Sequence, residues 1–143
     1  MTAYIDTSAL AKCYIREPRS MEVLDWAAGR GDPVTSALTL VEFRGLLARR
    51  RRAGQIAADL ERRALAEFDS HVRGGGWRVH AGAFGDFAEA RDLIDVLPDL
   101  PLHALDALHL AAARILGARE FATADRTQAE AARALGFDVF TFY

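Results

Sequence analysis

Apolar positions along this chain recur in two rhythms, a period near two in a few short runs and a helical period in the longer stretches between them. The run AYID ends in Asp6 and is followed by SALAKCYI, which predicts a strand, a turn and a helix capped by Thr7 or Ser8. Pro18 and Arg19 open a second helix through MEVLDWAAG, closed by Gly29 and Gly31, and PVTSA is a further short extended piece. In LTLVEFRGLLARRRRAG, capped by Ser36 or Thr39, Leu38, Val41, Gly45 and Leu46 share one stripe. Arg44 and Arg49 to Arg52 lie on the other face and at the C-terminal end. QIAADLERRALAEFDSHVR continues in helical period up to a turn of three glycines, Gly74 to Gly76.

The second half repeats the alternation. WRVHA reads as a strand, AFGDFAEARDLIDVL as a helix ended by Pro98 and Pro101, and HALDALHLAAARILG as the most apolar helix of the chain. EFATAD is a strand, RTQAEAARALG an amphipathic helix with Gly136 at its end, and FDVFTF a last strand. Short strands separated by helices predict an α/β fold, a three-layer αβα sandwich around a central parallel sheet. In such sheets, sites form beyond the carboxyl ends of the strands.

Composition narrows this picture without redirecting it. With 143 residues, 51% hydrophobic and 27% charged, a single globular domain over 1–143 is expected. The formal net charge of −2 means that any contact with nucleic acid must use a local basic patch. Cys13 is the only cysteine, which removes disulfides and a cysteine-based zinc cage within one chain; its apolar helix face gives it a packing role. Asp6 and Lys12 fall where the apolar core of a signal peptide would lie, and no run is long enough to span a bilayer. A cytoplasmic protein with no membrane partner is expected.

Four acids stand out by position. Asp6 and Asp125 each close a strand, so in a parallel sheet both emerge at the same edge; either alone is most simply an N-cap for the following helix. Glu42 shares the stripe of Leu38, Val41 and Leu46, and Asp106 interrupts an apolar, hence buried, helix. Isolated charges there cost several kcal/mol or so unless they are compensated. Arginine partners would suffice for one acid, but four acids gathered together repel, and a divalent cation resolves the conflict. All-oxygen carboxylate sites suit Mg²⁺, with Mn²⁺ as the alternative, and such sites support phosphodiester hydrolysis. Aspartyl-nucleophile phosphatases also begin with a strand-end aspartate. They want a second aspartate two residues on, however, and Ser8 stands there.

DTSAL after the first strand, VEF in the third helix, LDALHLA, and TADR followed by AEAARALG together resemble the successive motifs of PIN domains, in particular VapC-type toxins. The resemblance runs from the first strand to the last. It implies that Asp6, Glu42, Asp106 and Asp125 hold Mg²⁺ and carry catalysis, with the hydroxyls of Thr7, Ser8 and Thr123 nearby. It implies further an endoribonuclease with RNA as substrate, the toxin of a type II toxin–antitoxin pair. Its partners would be a VapB-type antitoxin and a second copy in a homodimer. Arg126 is placed either to touch the scissile region or to pair with an acid, and Arg49 to Arg52 either to meet RNA phosphate or to complement the helix dipole. His109, one turn after Asp106, is expected to be a hydrogen-bonded packing residue rather than a base.

Overall fold

The computed structural model describes residues 1–143. Five short strands form one parallel sheet: β1 (Ala3–Ile5), β2 (Val34–Ser36), β3 (Arg78–His80), β4 (Glu120–Thr123) and β5 (Asp138–Thr141), in the order β3-β2-β1-β4-β5. Tyr4 is opposite Val34 on one side and Phe121 on the other, and the β1–β4 ladder continues where the Asp6 N–H donates to the Ala122 carbonyl at 3.0 Å. β1 and β2 are buried along their whole length, as central strands of a covered parallel sheet must be, whereas edge strand β3 starts exposed.

Seven helices cover the sheet: α1 (Thr7–Leu10), followed by a 3₁₀ turn at Ala11–Cys13, α2 (Ser20–Ala28), α3 (Leu38–Arg52), α4 (Ala58–Arg73), α5 (Phe84–Val96), α6 (Ala104–Ile115) and α7 (Arg126–Ala134). The pleat divides them into two layers. Ala3, Ile5 and Ala122 face a core built with Leu10, Val23, Trp26, Phe43, Leu47 and Phe68 of the first four helices. Tyr4, Val34 and Phe121 face the other core, with Ala90, Leu93, Leu110 and Ala131 of the last three. This is the expected three-layer sandwich. Chain order runs outward from β1 through β2 to β3, then returns to β4 on β1's other side, which places the topological switch point between β1 and β4.

Several local expectations change, each for a visible reason. Asp6, not Thr7 or Ser8, caps α1: its Oδ1 accepts the Ala9 N–H at 3.1 Å while its backbone stays extended. SALAKCYI makes only one α-turn and a 3₁₀ turn, because Tyr14 and Ile15 turn into the core. α2 begins after Arg19, whose left-handed φ of 74° precedes the helix. The buried stripe of α3 is Thr39, Phe43 and Leu47, one position round from that expected, and Val41 is 72% exposed. Helix α6 is less enclosed than its composition suggests, since Leu105 and Ile115 both reach solvent.

Candidate active site at the carboxyl edge

Asp6 leaves the end of β1 directly at the switch point, 4% exposed and fully engaged. Ser8 donates to its Oδ1 at 2.7 Å, and Thr123, at the end of β4, donates to its Oδ2 at 2.5 Å. Ser8 also accepts the Ala124 N–H at 2.8 Å, and Thr123 Oγ1 accepts the Asp125 N–H at 3.0 Å, so the hydroxyls stitch the two central strands together. Burial pushes the Asp6 carboxyl above its ordinary range; the nearby His109 imidazole and the hydrogen bonds from Thr123, Ser8 and Ala9 pull back only part of that rise.

Glu42 comes from α3, at the half-buried rim of the Thr39–Phe43–Leu47 stripe. Its Oε1 accepts from Thr7 at 2.7 Å and lies 2.5 Å from His109 Nε2, while Oε2 has no hydrogen bond within the chain. Thr7 Oγ1 is 2.9 Å from Thr39 Oγ1, which is 2.8 Å from Thr35 Oγ1, and Thr35 donates to the Ile5 carbonyl at 2.9 Å. Burial pushes Glu42 up, but the His109 imidazole outweighs it together with the hydrogen bond from Thr7 and the charge of Arg49, and the net shift is downward. Arg49 lies two turns along the same face of α3, its guanidinium folded back toward Gly45.

Asp106 and Asp125 form the more open side. Asp106 lies in the first turn of α6, and its Oδ2 accepts the His103 N–H at 3.3 Å; the side chain is 27% exposed, less buried than an interruption of an apolar helix implies. Its carboxyl is raised by burial first and then by the charge of Asp125, with the His103 N–H as the main opposing effect. Asp125 caps α7 through the Gln128 N–H at 2.8 Å. Gln128 in turn donates its side-chain amide to the Asp106 carbonyl at 3.2 Å, tying α7 to α6. Oδ1 of Asp106 and Oδ2 of Asp125 accept no hydrogen bond from the chain.

The fold therefore delivers all four acids to one sheet edge, together with Thr7, Ser8 and Thr123. No arginine or lysine forms an ion pair with any of them; the basic side chains nearest to them are the imidazoles of His109, beside Glu42, and His103, beside Asp106. As placed, no three carboxylate, imidazole or thiol groups stand close enough to enclose an ion, so the acids share an edge without forming a closed cage. The donor set still fits a hard divalent cation. It consists of carboxylates and hydroxyls, it leaves Glu42 Oε2, Asp106 Oδ1 and Asp125 Oδ2 free, and burial disfavours the charge of two of its acids, Asp6 and Asp106, which a cation would restore. Mg²⁺ keeps several waters and does not require every protein oxygen in contact.

Three other features singled out in the sequence can be placed. His109, 3% exposed, is the expected hydrogen-bonded packing residue and also touches the site, with Nε2 against Glu42 and Nδ1 2.7 Å from the Tyr4 hydroxyl. Its spacing one turn from Asp106 was the available signal. Arg126 pairs with none of the acids; its guanidinium sits 4.1 Å from the centre of the Tyr143 ring. Within the run Arg49 to Arg52, Arg50 bonds Glu17 and Arg51 bonds Glu61, so half of that charge is already spent on ion pairs.

Comparison with known proteins gives the family. A family model described as PIN domain matches residues 3–134. The sequence is 34% identical over 139 residues to Ribonuclease VapC46 of Mycobacterium tuberculosis, covering 95% of this chain and 94% of that protein. The backbone superposes on VapC20 of the same organism, a toxin described as cleaving the sarcin–ricin loop, with a TM-score of 0.72 at 21% identity over 96% of each chain. FitAcB of Neisseria gonorrhoeae gives 0.67 at 20% identity, over 100% of this chain and 97% of that one. From the strand-end aspartates to the last helix, the chain belongs to the PIN-domain family, on its VapC ribonuclease branch.

Proposed function

We propose that this protein is a metal-dependent endoribonuclease, acting through a single PIN domain over residues 1–143 as the toxin of a type II toxin–antitoxin pair. The observation that carries the reading is the set of four acids at the switch point with no arginine or lysine to neutralise them. The identity to a named VapC ribonuclease along nearly the whole chain supports it.

Asp6, Glu42, Asp106 and Asp125 are the residues assigned to hold Mg²⁺, or Mn²⁺ in its place. A divalent ion held there supplies positive charge against the phosphate and acidity to an attacking water. The chain's own part is to fix the acids. Ser8, Thr123 and the Ala9 N–H lock Asp6 in one rotamer, and Thr7 holds Glu42. The helix caps at Asp106 and Asp125 leave one oxygen of each turned free. An uncompensated acidic edge repels RNA phosphate until the cation arrives, so binding and activation are coupled by charge. The same edge attracts a basic segment, which is how a VapB-type antitoxin would silence it. No helix of the chain is long and apolar enough to cross a membrane; a cytoplasmic protein working as a homodimer completes the proposal.

The test is cleavage of RNA by purified protein with Mg²⁺, Mn²⁺ or chelator, beside Asp6→Asn. Asparagine keeps the cap of α1 and removes the charge. Metal-dependent cleavage that falls roughly a hundredfold or more in the variant is expected, since even outer-shell changes cost about 10–100-fold. Equal cleavage by both proteins, or cleavage in chelator, overturns the assignment.

A further inference from the structure

Resting on that nuclease reading, we infer that His109 is a positioning residue: Glu42 and Tyr4 together fix its tautomer, and its Nε2–H holds Glu42 Oε1 so that Oε2 is the oxygen offered to a cation. The Tyr4 hydroxyl is 2.7 Å from Nδ1 and Glu42 Oε1 is 2.5 Å from Nε2, with Thr7 Oγ1 farther from Nε2 at 3.4 Å. An ionised carboxylate can only accept, so Nε2 carries the proton. In the neutral ring Nδ1 is then the acceptor, and the Tyr4 hydroxyl donates to it. Tyr4 is able to do so because a phenol keeps its proton at neutral pH.

The relay is held from both ends. Tyr4 is fully buried in the central strand, its ring stacked on Phe121 at 5.3 Å and edge-on to His109 at 5.9 Å. Thr7 supplies a second donor to the same Glu42 oxygen, backed by Thr39 and Thr35. One oxygen of Glu42 is thus held by two donors and the other by none. His109 also sits one turn beyond Asp106, so the turn of α6 that presents one acid orients another that comes from α3. Orienting a carboxylate through its spare oxygen is how groups behind a metal site set its affinity.

Nitrogen-15 NMR of the wild-type protein, with chelator present, should show His109 protonated at Nε2 and bare at Nδ1, and Tyr4→Phe should show both tautomers. Calorimetric titration with Mn²⁺ alone then compares wild type, Tyr4→Phe, His109→Leu and His109→Gln, each checked for folding by thermal melt. His109→Leu should weaken Mn²⁺ roughly 10- to 100-fold. His109→Gln, whose amide N–H reaches Glu42, should recover most of that, and Tyr4→Phe should lose about three- to tenfold. In RNA cleavage the same order should appear in kcat, with KM nearly unchanged. A wild-type ring protonated at Nδ1, or folded Leu and Gln variants with equal Mn²⁺ affinity, overturns the relay. If His109→Leu does not fold, Tyr4→Phe with unaltered tautomer and affinity overturns it just as well. A wild type that binds no Mn²⁺ and cleaves no RNA sinks the nuclease reading itself, an outcome distinct from variants that match a metal-binding wild type.

Discussion

The two sides of the acidic edge are built on opposite principles. Asp6 and Glu42, between β1 and α3, are wrapped by hydroxyls, a backbone N–H and an imidazole, and together they accept five hydrogen-bond contacts. Asp106 and Asp125, at the starts of α6 and α7, each accept one backbone N–H and otherwise face each other's charge. The first side is fixed by hydrogen bonds; on the second, the charge of Asp125 disfavours that of Asp106, a cost that the proposed cation would relieve. A hydrolytic site gains from this division, because the fixed side sets geometry while the open side supplies attraction.

The contrast can be broken most forcefully on the open side. Asp106→Asn keeps the acceptor for His103 but removes one of the two repelling charges. RNA cleavage should fall by roughly a hundredfold, beyond the outer-shell range, while the chelated protein becomes more heat-stable than wild type; a lowered melting temperature contradicts the repulsion. On the enclosed side the expected sign reverses. Thr123→Val deletes a fully buried hydroxyl that serves both Asp6 and the Asp125 N–H, which should cost about 1–3 kcal/mol in denaturant melts. A neutral result would show that water replaces the hydroxyl without loss.

Acidity sharpens the comparison further. Asp6 and Asp106 have carboxyls raised in the fold, so their contribution to stability is fully present below the ordinary aspartate range and is lost as pH rises through their raised values. Glu42 is lowered, so its contribution is present above the ordinary glutamate range and lost as pH falls through its lowered value. In chelator, the melting temperature of Asp6→Asn should therefore gain on wild type as pH rises through the acid range, and that of Glu42→Gln should lose; parallel curves would refute both assignments. The smallest effect is at Gly45→Ala, inside α3, where a new Cβ meets only the mobile Arg49 guanidinium at 3.4 Å. Stability should rise by about 0.5–1 kcal/mol, and a fall would mean that Arg49 is firmly anchored there.

The architecture was legible because both rhythms of apolar spacing survive in short segments: every predicted strand exists, and alternate residues of β1 do part into the two cores. The acids were legible as anomalies, charges at strand ends and in apolar helices. Sequence spacing could not reveal that one carboxylate can cap a helix and still stand at the shared sheet edge: at Asp125 the cap takes Oδ1 and leaves Oδ2 free, whereas at Asp6 Thr123 takes the second oxygen. It also misjudged the stripe of α3, because Thr39 turns inward to join the hydroxyl chain of Thr7 and Thr35, and an inward threonine carries no apolar signal. His109 was hidden for the converse reason: a buried histidine looks the same on paper whether its nitrogens meet backbone or a carboxylate.

The double employment of Asp6 and Asp125 bears on how such a gene decays. A substitution at either position that discards the side-chain acceptor frays α1 or α7 as well as emptying the site, so selection on abundance would purge many null alleles that selection on activity alone would tolerate. Asparagine is the exit that keeps the helix start. Silenced descendants of this lineage should therefore retain their aspartates or carry asparagine at these two positions, and alanine or leucine there should be scarce.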